Sequence, residues 1–443
     1  MIEVVGSLFW YVVTIGLLVT FHEFGHVWVA RRCGVKVHRF SIGFGKPLWS
    51  RFGRDGTEYV LAAIPLGGYV SMLDERAEEV PPEQMGAALN RKPIWQKIAV
   101  AAAGPAANVL LALLVFWIMF MVGKPDYQPV LGTTTGMAAE AGLKSGMRVT
   151  AIDGEAVDAW SAVGRAVFEA ALYRRDAKLS TRDAEGDESA HTLRLSAIGH
   201  DVADEVLWER IGLHRVQSAL VGQIVAEGAG AAAGLQPGDL VLRVDGESIA
   251  DFEGLRAALQ RHAGDGEVAL LVERDHDELT LLAKPRAELE AGKTVYRLGV
   301  GPGDRYDHIR IHGPLAAVPE AIREAWDVST KSLQFLKDMV LGALSTKHLS
   351  GPITIAQVAN LSASEGLPWF LGFLGAVSLG LAILNLLPIP ILDGGHILYY
   401  LIELIKGSPV SDRGLVAGQY VGLVMLAGLI GLAFFNDLSG FFR

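Results

Sequence analysis

Cysteine is almost missing from this chain of 443 residues: Cys33 stands alone. One thiol makes neither an internal disulfide nor a Cys-based zinc site, so packing must hold the fold, and any metal must be held by His and carboxylates. Positive charge is also short. The net charge is -10, which argues against a nucleic-acid partner, because phosphate binding needs clustered Lys and Arg. Charged residues make up only 20% of the chain against 51% hydrophobic. That balance is too apolar for an ordinary soluble enzyme.

Four stretches reach the roughly 20 apolar residues that a membrane helix needs. They are Val4 to Ala30, Ile98 to Val122, Trp369 to Ile405 with an interruption, and Leu415 to Phe435. The first lacks the basic start of a signal peptide and continues past any small-residue cleavage site. The expected plan is a first span in 1–30, a loop over 31–97, a second span over 98–122, a long outer region, a third span over 369–405 and a fourth over 415–435. Arg31, Arg32, Lys36, Arg39, Lys46, Arg51 and Arg54 follow the first span, and Arg91, Lys92 and Lys97 precede the second. By the positive-inside rule this loop is cytoplasmic. Both termini and the long region then lie outside, and Lys406 and Arg413 agree.

The outer region repeats itself. Ala141-Gly142-Leu143-Lys144-Ser145-Gly146 precedes Ile152-Asp153-Gly154-Glu155, and Ala233-Gly234-Leu235-Gln236-Pro237-Gly238 precedes Val244-Asp245-Gly246-Glu247 at the same spacing. A period of roughly 90 residues is too long for a solenoid and reads as two tandem domains, over 128–216 and 219–303. Each has a Gly-rich turn, an apolar strand and an Asp-Gly turn that opens a hairpin. The pattern resembles PDZ domains, circularly permuted. Ile211-Gly212-Leu213 and Leu298-Gly299-Val300 resemble the loop that receives a peptide's C-terminal carboxylate. The alternative is that these glycines only turn the chain and the domains only space other parts.

The sharpest motif is His22-Glu23-Phe24-Gly25-His26. On a helix both imidazoles share a face one turn apart and reach one ion, while Glu23 stands beside it. That arrangement points to zinc-dependent peptide hydrolysis, with Glu23 moving the proton from water to the leaving amine. Three ionisable groups in an apolar span are costly to keep, and a shared metal removes the cost. A catalytic zinc needs a third protein ligand and an open position. Asp393, the only carboxylate between Trp369 and Tyr400, is the favoured third ligand. It lies in Asn385-Leu386-Leu387-Pro388-Ile389-Pro390-Ile391-Leu392-Asp393-Gly394-Gly395, where prolines and glycines break the helix at membrane depth. At ~1.5 Å per residue it lies at a depth similar to the two histidines. Glu58 and His396 are weaker candidates. Asn385 either donates to substrate and the developing oxyanion or satisfies broken backbone.

These motifs together resemble the site-2 protease family, and the resemblance covers nearly the whole chain. Further matching stretches are Ala30-Arg31-Arg32-Cys33-Gly34-Val35, Phe40-Ser41-Ile42-Gly43-Phe44-Gly45-Lys46, Ile64-Pro65-Leu66-Gly67-Gly68-Tyr69-Val70, Ser350-Gly351-Pro352-Ile353 and Phe435-Asn436-Asp437. The resemblance implies one Zn2+ per chain on His22, His26 and Asp393, with Glu23 as general acid and base. It implies a multi-pass protein of the bacterial inner membrane with periplasmic termini and PDZ domains. It implies single-span substrates cut within the bilayer: an anti-sigma factor already trimmed outside, and leftover signal peptides.

A substrate helix hides its scissile carbonyl in an i→i−4 bond and must unwind first. Residues 58–73, rich in strand formers and broken by Pro65-Leu66-Gly67-Gly68, read as a membrane-associated β-hairpin whose edge pairs with the unwound segment. Gly67, Gly68 and Tyr69 are therefore substrate-binding candidates beside Asn385. The plain alternative is an ordinary cytoplasmic hairpin. Selectivity is expected from access, with the tandem region excluding substrates that have large outer domains. Amphipathic helices are expected within 314–366. Two other classes stay open: a non-catalytic PDZ scaffold with structural zinc, closed by His396 as a fourth ligand, and an ion or metal transporter.

Overall fold

The chain divides into two units, Met1–Lys124 with Arg310–Arg443, and Pro125–Ile309. The computed structural model describes residues 2–76, 78–198, 204–262, 266–290, 293–303, 308–342 and 349–440. Short parts of the expected segments 1–30, 31–97, 128–216, 219–303 and 314–366 lie outside the described residues.

In the first unit, helix α1 (Ile2–Arg32) ends on the basic pair Arg31 and Arg32, which suits the negative end of a helix dipole. Strands β1 (Val37–Phe52) and β2 (Glu58–Met72) follow, antiparallel. Their pairing corrects the simple hairpin expected over 58–73. The start of β1 lies between two segments of β2: Phe40 pairs with both Tyr59 and Val70, and Ser41 with both Val60 and Tyr69. The physical reason is that β1 is itself rich in strand formers and takes the place that the second half of β2 would have taken. Pro65 lacks an N–H, so the middle of β2 makes no tight two-residue turn.

Helix α2 (Ile94–Val122) starts after Pro93 and contains Pro105. It packs against α1, the Leu367–Leu386 helix and the Asp393–Lys406 helix. Among the described residues, four helices are long and apolar enough to cross a membrane: Val4–Arg32, Ile94–Val122, Leu367–Leu386 and Arg413–Ser439. The apolar run 369–405 is two helices, because Pro388 and Pro390 interrupt it between Leu386 and Asp393. Leu18, Phe116, Leu374 and Leu379 form a shared core. Between helices in lipid, such a core is held by close packing rather than by expulsion of water.

Two further helices lie where amphipathic ones were expected. Ala317–Val340 turns Ala317, Ala321 and Ala325 into the core with α2 and leaves Val318, Ile322 and Trp326 exposed. Asp437 caps Pro352–Ser364 from the Asp412–Gly440 helix, accepting from the N–H of Gly351 at 2.9 Å and of Ile353 at 2.8 Å. A carboxylate there satisfies free amides and suits the positive helix end.

The second unit holds two copies of one plan. Each has a four-stranded antiparallel sheet and one longer helix. In the first copy the strand order is Glu155–Ala156, Arg148–Ile152, Ala177–Arg182, Glu188–Leu193, with the Trp160–Leu172 helix. In the second it is Glu247–Ser248, Leu240–Val244, Val268–Arg274, Asp277–Ala283, with the Phe252–His262 helix. The Asp-Gly turns match in detail. Asp153 and Asp245 both have left-handed φ, and their Oδ1 atoms accept from the N–H of Lys178 and Ala269. Each copy has its own core, centred on Val149, Leu179 and Leu193 in one and Val241, Val244 and Leu270 in the other.

Candidate active site

α1 carries His22 and His26 on one face, each 8% exposed. Asp393 arrives from a broken segment. Ile391, two residues before it, has φ 111, a left-handed conformation that a β-branched residue avoids. Strain of this kind costs about 1–3 kcal/mol and persists only where the surroundings fix it. Leu392 is extended, and Asp393 opens the next helix.

The three side chains meet. The two Nε2 atoms are 3.3 Å apart, His22 Nε2 lies 3.1 Å from Asp393 Oδ2, and His26 Nε2 lies 3.4 Å from Asp393 Oδ1. Among the described residues this is the only group of three His, Cys, Asp or Glu side chains close enough to share a metal. Ligand bonds of ~2.0–2.2 Å around a tetrahedral ion keep its ligands ~3.3–3.6 Å apart, and the three side chains here, with Asp393 turning a different oxygen to each imidazole, approach to about that separation. The donor set, two imidazoles and one carboxylate, suits zinc. Asp393 Oδ2 is buried without a hydrogen-bond donor, so the cluster fits a cation.

α2 backs the site. Val100 O accepts from His26 Nδ1 at 2.8 Å, which leaves the lone pair of His26 on Nε2. Any side chain at Gly104 would collide with the Nε2 atoms of both histidines, so only glycine fits there. Lys97, 4% exposed, donates to both oxygens of Glu403 at 2.8 and 2.9 Å and ties the first turn of α2 to the Asp393–Lys406 helix.

One cleft of 750 Å³ contains the trio together with Glu23, Asn385, Gly67, Gly68 and Tyr69. Phe44 stacks on Tyr69 at its wall. The weaker candidates fall outside the cluster. His396 reaches the same cleft but is exposed and stacks on Tyr400, and Glu58 pairs with Arg39 at 2.7 Å.

In the second unit, Ile211, Leu213 and Leu298 are buried, and Gly212 and Gly299 take φ 66 and 69 as their loops turn. Gly212 O accepts from Thr135 N–H, and Gly299 O from Val225 N–H. A groove of 1130 Å³ runs from Leu298, Gly299 and Val300 along the Phe252–His262 helix.

Residues 10–429 match the model of peptidase family M50. The chain belongs to that family, the site-2 proteases. A Xylella fastidiosa (strain Temecula1) protein named "Putative zinc metalloprotease" is 47% identical over 450 residues, covering 99% of this chain and 100% of its own. The regulator of sigma-E protease RseP of Salmonella typhimurium (strain 14028s) is 39% identical, with the same coverage. RseP of Escherichia coli K12 is 37% identical over 465 residues, again across 99% of this chain and 100% of its own. As an M50 member, the chain is a metalloprotease.

Sequence reasoning missed the support that this cluster draws from α2. One signal was there: Asn108 is the only amide or ionisable side chain between Ile98 and Val122. Val100 gave none, because it acts through its carbonyl.

Proposed function

We propose that this chain is an intramembrane zinc endopeptidase that cuts single-span proteins within or beside their transmembrane segments. The observation that carries the proposal is the approach of His22, His26 and Asp393 in one cleft that also admits Glu23. His22 Nε2, His26 Nε2 and Asp393 hold one zinc per chain. When bound, the ion polarises the scissile carbonyl and lowers the pKa of a water towards ~7. Glu23 takes the proton that this water loses as it adds to the carbonyl, and delivers it to the amine as the C–N bond breaks. Asn385 donates to the carbonyl oxygen as its negative charge grows. The backbone at Gly67, Gly68 and Tyr69 pairs with the unwound substrate and holds the peptide extended.

Two relatives carry sigma-E regulation in their names. On that basis the substrate is a trimmed anti-sigma factor in an envelope stress response, with leftover signal peptides as a second class. The protein sits in a bacterial inner membrane with its termini and the tandem unit on the periplasmic side. The two repeats are PDZ domains over 128–216 and 219–303. Ile211-Gly212-Leu213 and Leu298-Gly299-Val300 are their carboxylate loops, and the domains limit which substrates gain access. A scaffold with structural zinc would need a fourth protein ligand, and the cluster among the described residues has three.

Cleavage of a trimmed single-span substrate in detergent or liposomes tests the proposal. Glu23→Gln lowers the rate by about 10²–10⁴-fold and leaves zinc bound. A Glu23→Gln protein as active as the wild type would rule the mechanism out.

A further inference from the structure

Helix α2 carries none of the proposed ligands, yet one of its faces backs them. Lys97, Val100, Gly104 and Asn108 recur at three- and four-residue spacing, which places them on one stripe. Val100 O already fixes His26 with its proton on Nδ1 and its lone pair on Nε2. For His22 the matching position belongs to Asn108, which is wholly buried.

In the structure, Asn108 turns its Nδ2 towards His22 Nδ1, at 3.2 Å. An amide N–H only donates. If it donates to Nδ1, the single proton of the neutral ring sits on Nε2, the atom that faces Asp393 and His26. That nitrogen then has no lone pair for a metal. The other amide atom, Oδ1, is buried without a partner. A half-turn of the amide exchanges the two atoms with little change in shape.

We infer that Asn108 presents Oδ1 to His22, accepts the Nδ1 proton and holds His22 in the tautomer whose Nε2 lone pair points at the metal position. Either orientation satisfies one amide atom, so hydrogen-bond count does not choose between them. The requirement for a ligating Nε2 does. The inference rests on reading His22, His26 and Asp393 as the zinc ligands. Asn108 is a positioning residue: it acts on the metal only through His22, as carboxylates and carbonyls do behind other metal-bound histidines. The helix backbone that carries it is held by Ser378, whose Oγ donates to the main-chain carbonyl of Asn108 at 2.7 Å.

The test is the zinc affinity of the full-length protein in detergent, by competition with a chelator of known affinity, with the visible spectrum of the Co2+-loaded protein as a report on ligand geometry. Asn108→Asp keeps the acceptor and removes the donor. Asn108→Leu keeps the approximate shape and removes both. The Asp variant binds zinc within a few-fold of the wild type and keeps the tetrahedral Co2+ spectrum, while the Leu variant loses about 10–100-fold in affinity. A Leu variant that binds like the wild type overturns the inference, and so does an Asp variant as weak as the Leu one. Should Asn108→Leu fail to fold, the Asp variant decides alone, with retained affinity in favour and lost affinity against. A wild type that binds no zinc overturns the ligand assignment and this inference with it. A zinc-binding wild type with an indifferent Asn108→Leu overturns only the inference.

Discussion

Asp393 and Asp239 are carboxylates withdrawn from water, one in each unit, and their partners differ in kind. Asp239, with 1% of its side chain exposed, meets only donors: Arg274 Nε and Nη2, each at 2.7 Å, and the Gln236 N–H at 2.8 Å. Asp393 meets two ring nitrogens, and its Oδ2 has no hydrogen-bond donor. A carboxylate surrounded by donors is finished and serves the fold. A carboxylate grouped with other lone-pair groups is unfinished until a cation arrives, and it marks a site. The first repeat reinforces the point. Met147 stands where Asp239 does, after the same glycine, and packs against Thr181 with Oγ1 3.8 Å from its sulfur. The same strand order forms around either residue, so the ion pair is one way of filling that position rather than a condition of the fold.

Breaking the finished pair harms folding and leaves chemistry alone. Arg274→Ala strands a buried carboxylate and destabilises the second repeat by about 3–5 kcal/mol. Hydrogen exchange along Val268–Arg274 in the full-length protein reads the loss, while zinc content stays at the wild-type level. Zinc lost along with the strand's protection would break the comparison.

Acid gives a smaller, graded effect. Burial alone would raise the pKa of Asp239, but the hydrogen bonds from Arg274 and the Gln236 N–H and the guanidinium charge outweigh it and hold the pKa below the ordinary carboxylate value. A folded-state pKa below the unfolded one stabilises above the unfolded value, and the benefit fades as pH falls through the depressed one. Protection along Leu240–Val244, taken relative to the intrinsic exchange rate at each pH, therefore falls as pH drops below ~4, the unfolded value, whereas the Met147 position of the first repeat adds no such dependence. Equal acid sensitivity at Arg148–Ile152 would count against assigning the effect to this pair.

The smallest effect belongs to pairs that water already screens. Arg256 and Glu253 are both well exposed and 3.5 Å apart. Arg256→Ala shifts stability by less than about 1 kcal/mol by the same exchange measurement. A loss comparable to that of Arg274→Ala would show that exposure is the wrong guide.

The contrast also explains what could be read in the sequence. His22, Glu23, His26 and Asp393 were legible because each is a charged or metal-binding residue in an apolar background. The tandem repeat was legible because Asp153-Gly154 and Asp245-Gly246 need the same special turn. Neighbours brought together by folding were not. Lys97 and Glu403 are 306 positions apart, and Asn108 and His22 are 86 apart. Neither pair has a local pattern, and a carbonyl such as that of Val100 has no residue type to betray it. The pairing of β1 on both sides with β2 was hidden for a related reason: strand-forming residues announce a strand but not its partner.

Whether His22, His26 and Asp393 hold the ion is decided by zinc content in the wild type, Glu23→Gln and Asp393→Asn proteins, all folded and full length. About one zinc per chain is expected in the first two and a large loss in the third, because Asn385 and His396 share the cleft but cannot replace the missing carboxylate. Full zinc occupancy in Asp393→Asn would contradict that assignment, since the ion would then have to be held by groups other than the trio.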